Sequence, residues 1–266
     1  MQMYNCMRAH SGFSLVELSI VLVILGLLTG GILSGQALIR AAELRSVSSQ
    51  FQTYQAAIFS FRDRYMALAG DMSMATRFWG FDDTAPSCTN RTGAANAGTA
   101  GTCDGNGDGQ LATVPAGGSG ERTEFWRHLA RAGLIEGSYT GLAGPTNSSH
   151  AILGENVPRA RISSVGWWAS TITGTGSASF TRPIHNMLVV GALTTTPVNN
   201  LSAPFLKPEE AWNLDTKLDD GRPAYGKIVG RNISTCTTTS DPSNFSAEYL
   251  LSSSAIGCAL NFIDFF

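Results

Sequence analysis

The sequence is poor in charge. Asp, Glu, Lys and Arg together make up 14% of its 266 residues, well below the usual quarter. The net charge of −2 supplies no global field that would gather nucleic acid. Histidine is scarce, and His10, His128, His150 and His185 show no metal-binding spacing such as HExxH. A GxSxG elbow and a P-loop are lacking, and Gly174-Thr175-Gly176 is a loose Gly/Ser/Thr loop rather than a dinucleotide fingerprint. No feature therefore points to an enzyme. The 29 Gly residues have no three-residue period, which excludes collagen, and no internal repeat is evident. The 13 Phe and 5 Trp argue against a wholly disordered chain. No Pro precedes Pro86 and no Gly lies between Gly35 and Gly70, so few residues interrupt a helix in that stretch.

What is present is concentrated at the N-terminus. Residues 1–12, MQMYNCMRAHSG, are short and polar, with Arg8 and the free amine as cations. Residues 13–39 are predominantly apolar and contain one ionisable group, Glu17. As a helix this run spans about 40 Å, enough to cross a bilayer core of about 30 Å. The next charges are Arg40, Glu43 and Arg45. A secretory signal peptide cut near Gly30, Gly31, Ser34 or Gly35 is one reading. A plain membrane anchor is a second, but it leaves Glu17 without a purpose. A carboxylate near the end of a spanning helix costs about 2–3 kcal/mol unless it snorkels or finds a partner. The third reading makes Gly12 the last leader residue and Phe13 the new N-terminus. Glu17 then stands one helical turn from a fresh ammonium, and between subunits that pair would set register inside an apolar bundle.

Gly12-Phe13-Ser14-Leu15-Val16-Glu17-Leu18 followed by an apolar helix resembles the signature of the type IV pilin and pseudopilin family. The resemblance implies cleavage after Gly12 by prepilin peptidase and N-methylation of Phe13. It further implies assembly with other pilin or pseudopilin subunits on an inner-membrane platform, as a pilus or a type II secretion pseudopilus. The location implied is the bacterial inner membrane, crossed once, with the head in the periplasm. Many relatives carry a bending proline in the second half of the apolar run; this chain has Gly30, Gly31, Ser34 and Gly35 there instead. A non-assembling, single-pass, calcium-dependent binding protein is the alternative.

From residue 44 the apolar positions Leu44, Val47, Phe51, Tyr54, Ile58, Phe61, Tyr65 and Leu68 recur in steps of three and four. This predicts one helix over about 14–69, ending at Gly70-Asp71. The stripe serves either a coiled coil or, better, packing of the spine on the chain's own sheet, since aromatics replace a regular Leu/Ile pattern. The expected organisation is a leader at 1–12, a membrane or filament-core helix at 13–39, its amphipathic continuation at 40–70 and a head at 71–266. The fold class is α+β, a long helical spine on an antiparallel sheet with long loops.

In the head, Ile162–Thr173, Met187–Thr194 and Tyr225–Arg231 read as strands. Residues 120–133 read as a helix with Phe125, Trp126, Leu129 and Ala132 inward, and Pro208–Trp212 as a helical turn. Trp167-Trp168 reads as one buried and one half-exposed strand residue. Cys6 falls in the leader. Cys88, Cys103, Cys236 and Cys258 remain, and four cysteines allow three pairings. Joining neighbours closes short loops worth about 3 kcal/mol each. A disulfide loop near the C-terminus also matches what the pilin resemblance implies.

Cys103-Asp104-Gly105-Asn106-Gly107-Asp108-Gly109-Gln110-Leu111 carries the densest chemistry. Asp104, Asn106 and Asp108 alternate, Gly109 falls at the sharp turn of an EF-hand loop, Gln110 offers a carbonyl and Leu111 an anchor. This spacing aims hard oxygens at one centre and predicts Ca²⁺. Pro115 stands where the bidentate Glu belongs, so Glu121, Glu124 or water would complete the set. Asp219-Asp220-Gly221 reads as a turn. Gly70-Asp71-Met72, Phe78-Trp79-Gly80, Trp126–Ile135 and Leu214–Pro223 resemble a large-headed pilin subgroup.

Overall fold

The spine is one α-helix, α1, Leu15–Tyr65. The structure, a computed structural model, describes residues 14–83, 85, 88, 101–111, 119–172, 179–181, 184–195 and 199–264. Two compact units part within α1, after Glu43. In the first unit every large apolar side chain from Leu15 to Ile39 is half exposed or more. A helix that is apolar all round has no side to give to water; its stretch reaches a mean hydropathy of 2.4, long and apolar enough to cross a membrane. The helix runs unbroken through Gly26, Gly30, Gly31 and Gly35.

The second unit begins at Leu44, and there the same helix becomes one-sided. Val47, Phe51, Tyr54, Ile58 and Phe61 are buried, with Leu44 and Tyr65 half-buried at the ends. The partner of this stripe is the chain's own sheet: Phe51 stacks on Phe262 at 4.2 Å, and Tyr54 meets Trp167 edge-on at 5.4 Å. The stripe is thus used within the chain rather than in a coiled coil.

The helix ends at Tyr65, four residues before the expected limit, because Met66 turns left-handed (φ 52°). Gly70 has a different task from stopping the helix. It lies so close to α3 (Glu121–Arg131) that a Cβ there would come within 2.2 Å of the Glu121 carbonyl oxygen.

The sheet is antiparallel and has five strands: β1 Val165–Ile172, β2 Ile184–Leu193, β3 Leu201–Ala203, β4 Ile228–Arg231 and β5 Ala259–Ile263. The order is β1-β2-β5-β4, with β3 also on β2. The register places Trp167 opposite Val190, and Ile228 opposite Phe262, so alternation sends these residues to the face that meets α1. Trp168, Ser170, Met187, Val189 and Arg231 take the other face. The architecture is α+β, as the sequence implied.

Two readings of the head are corrected. Both Trp167 and Trp168 are buried, because each face of the sheet is covered. The helical turn at Pro208–Trp212 is a full helix, α4, Pro208–Leu218. Pro208 starts it, the Glu210 carboxylate accepts from the Lys207 N–H at 2.9 Å, and Ala211, Leu214 and Asp215 face inward one turn apart. Two short helices, α2 (Ala75–Trp79) and α5 (Ile233–Cys236), complete the described elements. The disulfides join neighbours, Cys88–Cys103 and Cys236–Cys258.

Candidate functional site

The N-terminal site begins with a capping box. The Ser14 N–H donates to the Glu17 carboxylate at 2.9 Å, and Ser14 Oγ accepts from the Val16 N–H at 3.3 Å. Two of the orphan donors of an apolar helix are so satisfied. The Ser-x-x-Glu spacing is plain in the sequence and gives Glu17 this local partner beside the intermolecular one expected for it. Gly12, Phe13 and Cys6 lie outside the described residues.

The second site is the loop at 103–111. A residue far upstream in sequence organises it. Asp71 Oδ1 accepts the N–H groups of Gly107 at 2.6 Å and Asp108 at 3.2 Å, and its Oδ2 accepts that of Gly109 at 2.7 Å. Gly107 and Gly109 have φ of 78° and 81°, so the backbone curls around the carboxylate in a conformation that favours glycine. Glycine is needed at 105 for another reason: a Cβ there would stand 2.4 Å from the Asp71 backbone. Leu111 is fully buried, as an anchor should be, and Arg122 Nε holds its carbonyl at 3.0 Å.

The sequence-derived ligands divide. Asp104 faces α2, accepting from the Thr76 N–H at 2.7 Å and from its hydroxyl at 3.0 Å. Asn106 and Asp108 bond to each other, and Asp108 Oδ1 accepts from the Gln110 N–H at 2.8 Å. The acidic group that the fold assembles is Asp71, Asp108 and Glu121, with one oxygen of each within 4.8 Å of the others. Glu121 also accepts from the Asn106 N–H at 2.9 Å. Burial raises the pKa of Asp71, and the nearby Asp108 charge adds to this; the three backbone N–H groups pull the other way. These oxygens are of the kind a hard divalent cation takes. Asp71 is the residue that sequence spacing missed, and Pro115 lies outside the described residues.

A further acidic group, Asp215, Asp219 and Asp220, gathers at the C-terminal end of α4. Burial holds the Asp215 pKa up at about 7, while the Tyr249 hydroxyl donates to it at 2.8 Å. Asp219 accepts from the Lys227 and Ile228 N–H groups, and Asp220 from that of Arg222, which is the work of the turn expected there.

Beneath the loop lies a buried polar network on α3. Arg127 reaches Asp82 at 2.6 Å and Glu124 at 3.3 Å. Glu124 also accepts from the hydroxyls of Thr102 and Ser119, each at 2.7 Å. Burial raises the Glu124 pKa against the pull of Arg127. His128 is fully enclosed: its Nδ1 accepts the Gly70 N–H at 2.9 Å and its Nε2 contacts the Cys103 carbonyl at 3.1 Å. Burial drives its pKa down to about 3, so it is neutral and fixed as the Nε2–H tautomer. These bonds tie Thr102 and Cys103 to α3; they are structural.

Residues 7–33 match the family model described as the prokaryotic N-terminal methylation motif. The signature is of the type IV pilin and pseudopilin kind, and it points to a structural subunit rather than an enzyme. Comparison of the chain with curated proteins and with solved structures gives no match.

Proposed function

We propose that the chain is a structural subunit of a type IV pilus or type II secretion pseudopilus. Prepilin peptidase removes residues 1–12 after Gly12, and Phe13 becomes the methylated N-terminus. Residues 13–39 hold the subunit in the inner membrane and then enter the filament core, residues 40–70 extend the spine, and residues 71–266 form a head on the periplasmic side. The Glu17 carboxylate pairs with the Phe13 ammonium of a neighbouring subunit. The observation that carries this reading is the methylation motif at residues 7–33, seated at the head of a helix apolar all round. Shearing cells that express the chain and pelleting the supernatant tests it. Recovery in the sheared polymer fraction supports a pilus, cross-linking to other subunits within the cell envelope supports a pseudopilus, and retention in membranes with neither favours the anchored binding protein.

The loop at 103–111 binds Ca²⁺ in this reading. Asp71, Asp108 and Glu121 supply carboxylate oxygens and Asn106 an amide oxygen, while Asp104 serves α2. Asp71 already accepts three N–H groups, so the loop is ordered without the ion and the ion adds stability to a formed site. At about a hundredfold excess over its Kd, Ca²⁺ stabilises by about 2.7 kcal/mol, a rise in Tm of about 5–10 °C for a unit of this size. Thermal unfolding with Ca²⁺ and with chelator reads this out. Asp108→Asn is expected to abolish the rise; an unchanged response to chelator in the wild type contradicts the site.

A further inference from the structure

The face of the sheet turned away from α1 holds a cavity of about 200 Å³ whose lining includes two arginines and, among the described residues, no carboxylate. Arg231, the last residue of β4, has its Nε wholly enclosed and without a hydrogen-bond partner. Among the described residues, no ion pair involves it. Arg122 enters from α3. Two of its N–H groups are given to the carbonyls of Leu111 at 3.0 Å and Thr171 at 2.9 Å, which fix the guanidinium without neutralising it. Burial lowers the pKa of both side chains, but a guanidinium stays charged at neutral pH. Both side chains are half-buried, and the enclosed Nε of Arg231 is an unsatisfied donor on a cation, an unfavourable arrangement unless something else supplies an acceptor.

The neighbouring polar groups are set as donors. Asn200 Oδ1 already accepts from the hydroxyls of Ser202 at 2.6 Å and Thr194 at 3.1 Å. That fixes its amide orientation and leaves Nδ2 to donate. Ser170, on the same strand face, adds a hydroxyl to the lining. A cavity offering guanidinium, amide and hydroxyl donors selects a ligand made of acceptors.

We propose that the cavity between Arg122 and Arg231 is a binding site for a single oxyanion group: phosphate, sulfate or carboxylate. Arg231 is its charge partner, Arg122 a second positive wall, and Asn200 and Ser170 orient its oxygens. The volume accommodates the anion with a small substituent or a few waters. The oxyanion is therefore either free or the acidic end of a larger molecule such as a sugar acid.

The test is thermal unfolding of the full chain in detergent micelles, titrated with inorganic phosphate, sulfate or glucuronate against chloride at matched ionic strength. A saturable rise in Tm, absent with chloride, is expected for at least one of the three. Tighter binding of phosphate or sulfate assigns a free or esterified inorganic oxyanion; tighter binding of glucuronate assigns a sugar acid. Arg231→Met should weaken the response about ten- to a hundredfold. It should also raise Tm in chloride alone, because it removes an uncompensated charge, whereas loss of a merely structural arginine would lower it. Asn200→Asp is the second variant: it keeps the acceptor for Ser202 and Thr194, brings an internal counter-charge, and should likewise raise Tm and abolish the response. A response identical in chloride, or one retained by both variants, overturns the proposal.

Discussion

Replacing Glu17 with alanine is expected to leave cleavage after Gly12 intact and to remove the chain from the sheared polymer fraction. The reasoning is electrostatic. In a filament core without water, the ammonium of Phe13 needs a counter-charge, and Glu17 is the sole acid of the apolar run. Losing a pair of this kind costs about 2–3 kcal/mol per contact, about thirtyfold or more in association at each step of growth. Glu17 also caps its own helix through the Ser14 N–H, so alanine alone would not distinguish the two roles. Glu17→Gln does. Glutamine completes a capping box as well as glutamate but carries no charge. It is expected to keep the helix start and still fail to polymerise. Normal filaments from Glu17→Gln would mean that the carboxylate serves only as a cap.

Arg127→Met is expected to destabilise the head by about 3–5 kcal/mol, because it leaves the carboxylates of Asp82 and Glu124 buried without the guanidinium that holds them. All three side chains are 4% exposed or less, so water cannot take its place. For a unit of this size the Tm falls by about 6–20 °C. The same change at exposed Arg161 should stay within about 0.5 kcal/mol. Calorimetry of the two variants side by side checks this. A drop at Arg127 no larger than that at Arg161 would show that the network contributes nothing to stability.

Legibility followed the range of the interactions. The N-terminal motif could be read because it is defined by fixed positions within one helical turn. The spine could be read because Val47, Phe51, Tyr54, Ile58 and Phe61 keep helical spacing over many turns. The acidic loop was half legible. Alternation at Asp104, Asn106 and Asp108 marked a loop rich in oxygen donors, but its organiser, Asp71, comes from the other side of a long stretch of chain. The one local hint is a Gly-Asp pair, which reads as a helix stop but packs Gly70 on α3. β5 was missed for a different reason. Ala259–Ile263 is buried at every position, so it lacks the alternation that marks a half-exposed strand. In the buried set, Glu124, Arg127 and His128 share one face of α3 at i, i+3 and i+4, but Asp82 joins them from a distant part of the chain, and nothing in a linear sequence announces that contact.

The most direct measurement is the intact mass and N-terminal sequence of the chain recovered from cells that make prepilin peptidase. A chain that starts at Phe13 and carries one methyl group on that nitrogen is the expected result. A chain that still begins with Met1, or one cut near Gly35, contradicts processing at Gly12 and with it the assembly role of Glu17.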